Sequence, residues 1–351
     1  MTATIKRFSP LALAEALATP HGVDRYLELV HPMLTVRELR AAVVDVRRTP
    51  DSVTLRLRPT WQWRGFTAGQ FVRIGVCIDG RWHTRCYSPA GSQHRRGIEL
   101  IVRAHDDGLV SQYLYAAARP GLTVRLSPAE GEFGLPTPRP PRVLLISGGS
   151  GITPVMSMLR TLADEGYAGE LAFLHYARHP IGLRYRAELE ALAAAHPNVH
   201  IAVRHPAEHG HLDRASLWAI APWFADAETF VCGPPALMAA ARELIDGSRL
   251  HTEEFVLAAP TRGEFSSAGG AITFARSGVT AANSGATLLE QAEAAGLTPE
   301  HGCRMGICFS CTKVKTAGCV RNVRTGDTDS DPDHEIQLCI SVPVGDVALE
   351  L

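Results

Sequence analysis

Four cysteines carry the clearest chemistry in the chain. Cys303, Cys308 and Cys311 stand in the run "HGCRMGICFSC" with the spacing C-x4-C-x2-C, and Cys339 follows 28 positions after Cys311. Three thiolates on one loop and a fourth from a distant segment can close a tetrathiolate around a [2Fe–2S] cluster, and this spacing is typical of such sites. Gly302 and Gly306 let the loop wrap and aim backbone N–H groups at the sulfides. Zinc ribbons prefer two C-x2-C pairs, and only one is present. A disulfide framework belongs to short, cysteine-dense secreted chains, whereas this one has 8 cysteines in 351 residues. The cluster is therefore the preferred reading, with all four thiolates as ligands. Cys319 falls outside the pattern and reads as a free thiol.

Other segments could hold phosphates. "LLISGGSGITPVMSML" sets Gly148, Gly149 and Gly151 between an apolar run and a helical one. Glycines there let the backbone approach a phosphate, and a helix N-terminus favours its charge. Pro154 stands where the usual dinucleotide fingerprint has a third glycine, and it suits a first helical turn. Arg178, Arg184 and Arg186 follow the next apolar strand, with no acid before Glu188. Cations there suit a 2′-phosphate, whereas an acid would favour a bare ribose. "RCYS" at 85–88 and "DDGLVSQYL" at 106–114 lie upstream. Taken alone, an Arg-x-Tyr-Ser run is as compatible with an ordinary strand edge.

The elements that must position these residues fall into blocks. Residues 1–36 read as a helical lead-in, with apolar spacing in "LALAEAL" and "RYLELVHPML". Over 37–138, "AAVVDVRRT", "SVTLRLRPT", "QFVRIGVCIDG", "IELIVRAHD" and "TVRLSPAEG" alternate as strands of a small antiparallel barrel. "PTPRPP" marks a joint. Over 139–255, strands alternate with helices, which implies a doubly wound parallel α/β sheet. Residues 256–269 read as a small-residue linker. Residues 270–351 hold a hairpin and then a helix with Thr287 and Glu290 as capping box and Gly296 as its stop.

Composition narrows the function classes. Apolar residues make up 46% and charged residues 20%, which suits globular cores. Lys+Arg number 35 against 36 Asp+Glu, which argues against a non-specific nucleic-acid binder. The longest uncharged stretch, 143–159, contains glycines and a proline and makes a poor membrane span. Glu15 interrupts the apolar run near the N-terminus, against a secretory signal. A soluble, cytoplasmic protein is expected, reaching a membrane only peripherally through a partner.

The segments together support a resemblance. Residues 271–351 resemble a plant-type ferredoxin domain, from the hairpin and capped helix to "GCRMGICFSC" and "LCISVP". "RCYS", followed by a G-x-x-S-x-x-L stretch, resembles the flavin signature of the ferredoxin–NADP reductase family. "GGSGITP", "HYAR" and "VCGPPALM" resemble its nucleotide-binding segments in their usual order. The resemblance spans about residues 37–351 and implies a β-grasp fold for the ferredoxin part.

By that resemblance, Arg85 pairs with the flavin phosphate, Tyr87 packs on the isoalloxazine or ribityl chain, and Ser88 bonds near flavin N5, with Cys86 between them. Ile101, Val102 and Arg103 lead toward Gly108, Leu109, Val110 and Ser111, which face a pyrophosphate. A pyrophosphate implies FAD, although a related branch uses FMN. Gly149, Gly151 and Thr153 lie by the nucleotide. Cys232, followed by Gly233 and Pro234, sits beside nicotinamide C4. Glu254 and Phe255 of "TEEF" bring an acid and an aromatic near the flavin. Ser88, Cys232 and Glu254 are the implied catalytic residues. The implied reaction passes a hydride from NADPH, with NADH as alternative, to the flavin, and single electrons through the [2Fe–2S] cluster to an external protein. The module order resembles the reductase partners of bacterial membrane fatty-acid desaturases and alkane hydroxylases. Reductases of ring-hydroxylating oxygenases and cytochrome P450 systems share the modules. A non-enzymatic redox sensor is the rival of a different class.

Overall fold

The computed structural model describes residues 22–106, 108–178, 183–255, 269–302, 304, 306 and 309–351. Within the lead-in, α1 (Val23–Val30) is fastened by charge. The Asp24 carboxylate accepts the N–H groups of Val36, Arg37 and Glu38 at 2.5, 2.9 and 2.7 Å. Residues 1–21 lie outside the described residues.

The first sheet contains β1 (Arg40–Arg48), β2 (Ser52–Pro59), β3 (Val72–Ile78), β4 (Arg81–Tyr87), β5 (Ile98–Arg103) and β6 (Thr123–Leu126), with α2 (Leu109–Ala117) between the last two. Its order is β4-β3-β6-β1-β2-β5, and every pairing is antiparallel. Alternation in β2 sends Val53, Leu55 and Leu57 inward and leaves Arg56 exposed. Ala90, just past β4, donates to Glu99 O on β5 at 2.8 Å and draws the two edge strands together into a barrel-like sheet. The sequence pattern foresees five of these strands. β4 lacks apolar alternation because all seven of its residues are exposed or half-buried.

The second sheet is parallel, in the order β11-β10-β7-β8-β9. Its strands are β7 (Arg142–Gly148), β8 (Glu170–Tyr176), β9 (Val199–Arg204), β10 (Glu228–Cys232) and β11 (Leu250–Glu253). Its main helices are α3 (Ile152–Asp164), α4 (Leu183–Ala195), α5 (Arg214–Ile220) and α6 (Pro235–Leu244). β7 and β8 are almost wholly buried, as expected of strands covered on both faces.

Helix α3 is buried all round from Ile152 to Leu162 because it is clamped between its own sheet and the barrel. Ser157 Oγ donates to Gly91 O at 2.7 Å, and the Gln93 N–H donates to Thr161 Oγ1 at 3.1 Å. At the centre, the Arg160 guanidinium grips Glu188 with two 2.7 Å bonds and reaches Ala90 O at 2.7 Å and Glu99 at 2.9 Å. Burial alone would lower its pKa, but Glu188 and Glu99 raise it, so the cation is fixed.

The third sheet runs β13-β12-β17-β14-β15, with β16 also on β14. It comprises β12 (Ala271–Phe274), β13 (Val279–Ala282), β14 (Thr312–Asn322), β15 (Thr328–Asp329), β16 (His334–Gln337) and β17 (Ser341–Leu349). β17 lies parallel to β12 and antiparallel to β14, and α7 (Leu288–Ala294) packs Leu288, Leu289 and Ala292 on the sheet. This is the α+β ferredoxin arrangement expected. The capping box of Thr287 and Glu290 is present, and Gly296 ends the helix at φ +83°.

Candidate functional site

On the barrel, Arg85 and Tyr87 share one face of β4, and Cys86 points to the other. Tyr87 packs half-buried against the barrel core, where burial raises its pKa and keeps its hydroxyl protonated. Ser88 follows at 3% exposure, and its buried Oγ has no hydrogen-bond partner among the described residues. An orphaned buried hydroxyl costs free energy, so it fits a site completed by a polar ligand. Among the lead-in residues, Val102 is buried, Ile101 half-buried and Arg103 exposed. Gly108 is the N-cap of α2, and its Cβ position would lie 2.3 Å from Ser111 Oγ. That Oγ donates to Gly108 O at 2.9 Å and accepts the His105 N–H at 3.2 Å. The Ser111 hydroxyl is thus spent on its own turn. Leu109, 48% exposed, and buried Val110 begin the helix, whose open N-terminus suits an anion.

On the nucleotide side, Gly149 takes φ +56°, a left-handed turn that favours glycine. Gly151 approaches the next strand so closely that a Cβ would lie 2.2 Å from Cys232 O. Thr153 is buried in the first turn of α3, where its hydroxyl reaches Ser150 O at 3.3 Å. Cys232 ends β10 fully buried, and Gly233 and Pro234 lead into α6. Burial, joined by the charges of Glu253 and Glu254, raises the Cys232 thiol well above its usual pKa. It remains a neutral, compact group and not a nucleophile.

The acid placed beside Cys232 is Glu253, the neighbour of Glu254, which is expected near the flavin. The parallel register pairs Cys232 with Glu253, whereas Glu254 forms an ion pair with Arg242 at 2.5 Å. Burial pushes the Glu253 carboxyl up to about 7, Arg324 opposes the shift and Glu254 adds to it. Phe255 packs on the sheet core beside these groups. Arg178 is exposed after β8. Arg186 lines a cavity of about 310 Å³ with Glu190 and His205. The side chain of Arg184 lies outside the described residues.

Of the four cluster cysteines, Cys311 and Cys339 are described, and Cys303 and Cys308 are not. Cys311 and Cys339 are 1% and 5% exposed, and the Cys339 N–H donates to Cys311 Sγ at 3.5 Å. A backbone donor aimed at sulfur favours a thiolate. Arg304, Gly306 and Phe309 take φ of +59°, +73° and +54°, so the loop curls repeatedly through the left-handed region. Gly306 is required there, since a Cβ would meet Ile340 at 2.6 Å. Two buried cysteines, one of them with a backbone donor on its sulfur, beside residues that curl through the left-handed region fit the thiolate cradle of a cluster.

The flavin and cluster sides touch. Arg85 NH1 donates to its neighbour Thr84 O at 2.8 Å and, across the module boundary, to Gly302 O at 3.1 Å. Gly302 immediately precedes Cys303. His301 lies against the same junction, its pKa lowered by burial and by Arg304 and Arg85.

Comparison with known proteins agrees with this arrangement. Residues 44–134 match the oxidoreductase FAD-binding domain, residues 145–243 the oxidoreductase NAD-binding domain, and residues 272–344 the 2Fe-2S iron-sulfur cluster binding domain. An NADPH oxidoreductase of Mycobacterium tuberculosis is 39% identical, the alignment covering 97% of this chain and 91% of that one. The chain belongs to the ferredoxin–NADP reductase family and carries a C-terminal [2Fe–2S] ferredoxin domain. Another member, the glycine betaine monooxygenase reductase subunit of Pseudomonas aeruginosa, is 32% identical over 81% of this chain and 87% of its own length. The solved phthalate dioxygenase reductase shares the fold with TM-score 0.61 and 24% identity, covering 90% of this chain and 98% of that one. This family member is an oxidoreductase whose cofactors are FAD, a pyridine nucleotide and a [2Fe–2S] cluster.

Sequence reasoning missed Glu253 and Arg160. β11 lacks apolar alternation, so nothing marked Glu253 as the residue facing Cys232. Arg160 stands in an otherwise helical apolar run, and an arginine among "VMSMLRTL" was the available signal.

Proposed function

We propose that the protein draws electrons from NADPH and delivers them singly, through flavin and cluster, to a separate oxygen-activating protein. The contact between Arg85 and Gly302 O is the observation that carries this order, since it joins the flavin strand to the residue before a cluster ligand. When bound, FAD would supply hydride acceptance and, with the [2Fe–2S] cluster, the change from electron pairs to single electrons. The chain's own residues bind and orient. Arg85 and the start of α2 take the flavin phosphates, and Ser88 offers its hydroxyl to the ring edge. Gly149, Gly151 and Thr153 admit the dinucleotide, and Cys232 and Phe255 fill the space at the nicotinamide. Cys303, Cys308, Cys311 and Cys339 hold the cluster. Glu253, whose carboxyl burial pushes up to about 7, is the acid beside Cys232 at this centre.

NADPH is favoured over NADH by Arg178 and Arg186 beside the nucleotide sheet, and the 39%-identical relative is named an NADPH oxidoreductase. For the acceptor, the module order favours a membrane fatty-acid desaturase or alkane hydroxylase. The second reading is a soluble oxygenase, favoured by relatives named as monooxygenase reductase subunits. No described helix is long and apolar enough to cross a membrane. The visible spectrum tests the reading. Flavin bands and broad iron–sulfur absorbance, both bleached by NADPH, are expected. A colourless, zinc-loaded protein would overturn it. Cys311→Ser should abolish reduction of one-electron protein acceptors and spare NADPH-to-ferricyanide transfer.

A further inference from the structure

Helix α1 is mounted inside out. A surface helix ordinarily turns its apolar stripe to the core and its charges to water. The one buried residue of α1 is Asp24, whose carboxylate is held by the backbone N–H groups of residues 36–38. One turn on, Glu28 accepts from the buried Arg40 guanidinium at 3.3 Å. Arg40 also donates to Glu38 at 2.6 Å and to Pro32 O at 2.9 Å. The charged face thus clamps the helix to the barrel. The opposite strip, Tyr26, Leu29 and Val30, spaced i, i+3 and i+4, faces solvent, with Leu29 79% and Val30 76% exposed.

The strip continues past the helix. The Leu34 N–H closes a turn on His31 O at 2.9 Å, and Leu34 is again exposed. The Trp61 and Gln62 side chains donate to Thr35 O at 3.4 and 3.2 Å, which sets the Trp61 indole beside Leu34 at 70% exposure. Five large apolar or aromatic side chains therefore follow one another along a surface that Asp24 and Arg40 hold in place. A contiguous apolar patch of this kind marks an interaction site.

Both signs of charge are present, but they are disposed unevenly. The acids of the segment are all engaged, Asp24 by backbone N–H groups and Glu28 and Glu38 by Arg40. Arg25 lies on the outer strip one turn before Leu29, 3.7 Å from Glu28. Exposed Arg58 shares the sheet face of Arg40, since Ala42 pairs with Arg58 between β1 and β2. Arg37 and Arg64 are exposed as well. Residues 1–64 contain 10 Lys+Arg against 6 Asp+Glu, in a chain that holds 35 against 36.

We propose that this face of α1, with Leu34 and Trp61, seats the protein on an anionic lipid bilayer, directly and not through its acceptor. Tyr and Trp carry an apolar ring with a polar tip, which settles at the headgroup level. Leu29, Val30 and Leu34 enter the boundary of the acyl chains, and the arginines meet lipid phosphates. Five side chains are few beside the roughly 20–30 residues a side of a stable protein interface, whereas a bilayer needs only shallow insertion. The seat is independent of the electron order, since it needs neither NADPH nor an acceptor.

The test floats the full-length, cofactor-loaded protein at low salt with vesicles of phosphatidylglycerol and phosphatidylcholine in equal parts, or of phosphatidylcholine alone. Protein should rise with the anionic vesicles, and its bound fraction should fall as salt is added. The double variant Leu29→Gln with Val30→Gln should lower the bound fraction at least fivefold, and so should Arg25→Gln with Arg58→Gln. The visible spectrum and NADPH-to-ferricyanide rate of both should match the unmodified protein. No flotation at low salt would overturn the proposal, as would equal flotation with phosphatidylcholine alone or by the Leu29→Gln, Val30→Gln variant. A solution dimer split by that variant would overturn it in favour of a second copy on the face. A melting temperature lowered in that variant without vesicles would overturn it in favour of a cover supplied by residues 1–21 of the same chain.

Discussion

Ser88 and Glu253 each carry a burial cost: the Ser88 hydroxyl has no partner among the described residues, and burial raises the Glu253 carboxyl. Removing an unpartnered buried hydroxyl recovers a desolvation cost of about 1 kcal/mol or more. Ser88→Ala should therefore raise the melting temperature of flavin-free protein, and lose that advantage once FAD is bound. Calorimetry with and without FAD checks this, and an equal gain in both forms would leave Ser88 with no role toward the flavin. Glu253 gives a pH signature. Its pKa rises from 4.5 to about 7 on folding, so below 4.5 it is protonated in both states and contributes nothing. As pH rises from 4.5 to 7, the unfolded chain releases the proton first and stability falls, and above 7 the penalty is constant. Glu253→Gln should be more stable than the parent above pH 7 and indistinguishable near pH 4, by thermal unfolding across that range. The functional cysteines were legible because ligand spacing is a sequence property. The choice between Glu253 and Glu254 was not, because it depends on strand register.

At the scale of elements, α3 is the piece that fixes the nucleotide sheet to the barrel. Its Arg160 is 5% exposed and serves Glu188 and Glu99 from two modules. Removing the buried guanidinium leaves two half-buried carboxylates without it, at about 2 kcal/mol. Arg160→Ala should lower stability by that order and divide one thermal transition into two, visible by scanning calorimetry. Most elements could be read beforehand from period. The alternation of "SVTLRLRP" and the capping box before "LLEQAEA" appear in the structure as a barrel strand and a capped helix. β4 and β11 escaped because both are edge strands without a fully buried residue, so no core enforces alternation in them. The same holds for Arg160, whose partners lie 61 and 28 positions away.

At the scale of the whole molecule, Arg85 joins the barrel to the ferredoxin domain, while α3 joins the barrel to the nucleotide sheet. Modules placed side by side make electron transfer to the cluster an internal event, independent of protein concentration, whereas delivery to a separate protein is bimolecular. Stopped-flow reduction of the cluster by NADPH should therefore keep one rate across a tenfold range of protein concentration, while cytochrome c reduction scales with the haem protein. The bond from Arg85 to Gly302 O has a consequence for how the protein matures. If Arg85 takes the flavin phosphate as proposed, a guanidinium held by the cluster loop is preorganised for it, and linkage then requires the converse to hold with equal strength. Loading of the two cofactors then becomes a cooperative pair of events. Chains made in iron-starved cells should release FAD more readily than cluster-filled ones, so scarcity of one nutrient would silence both halves of the protein together.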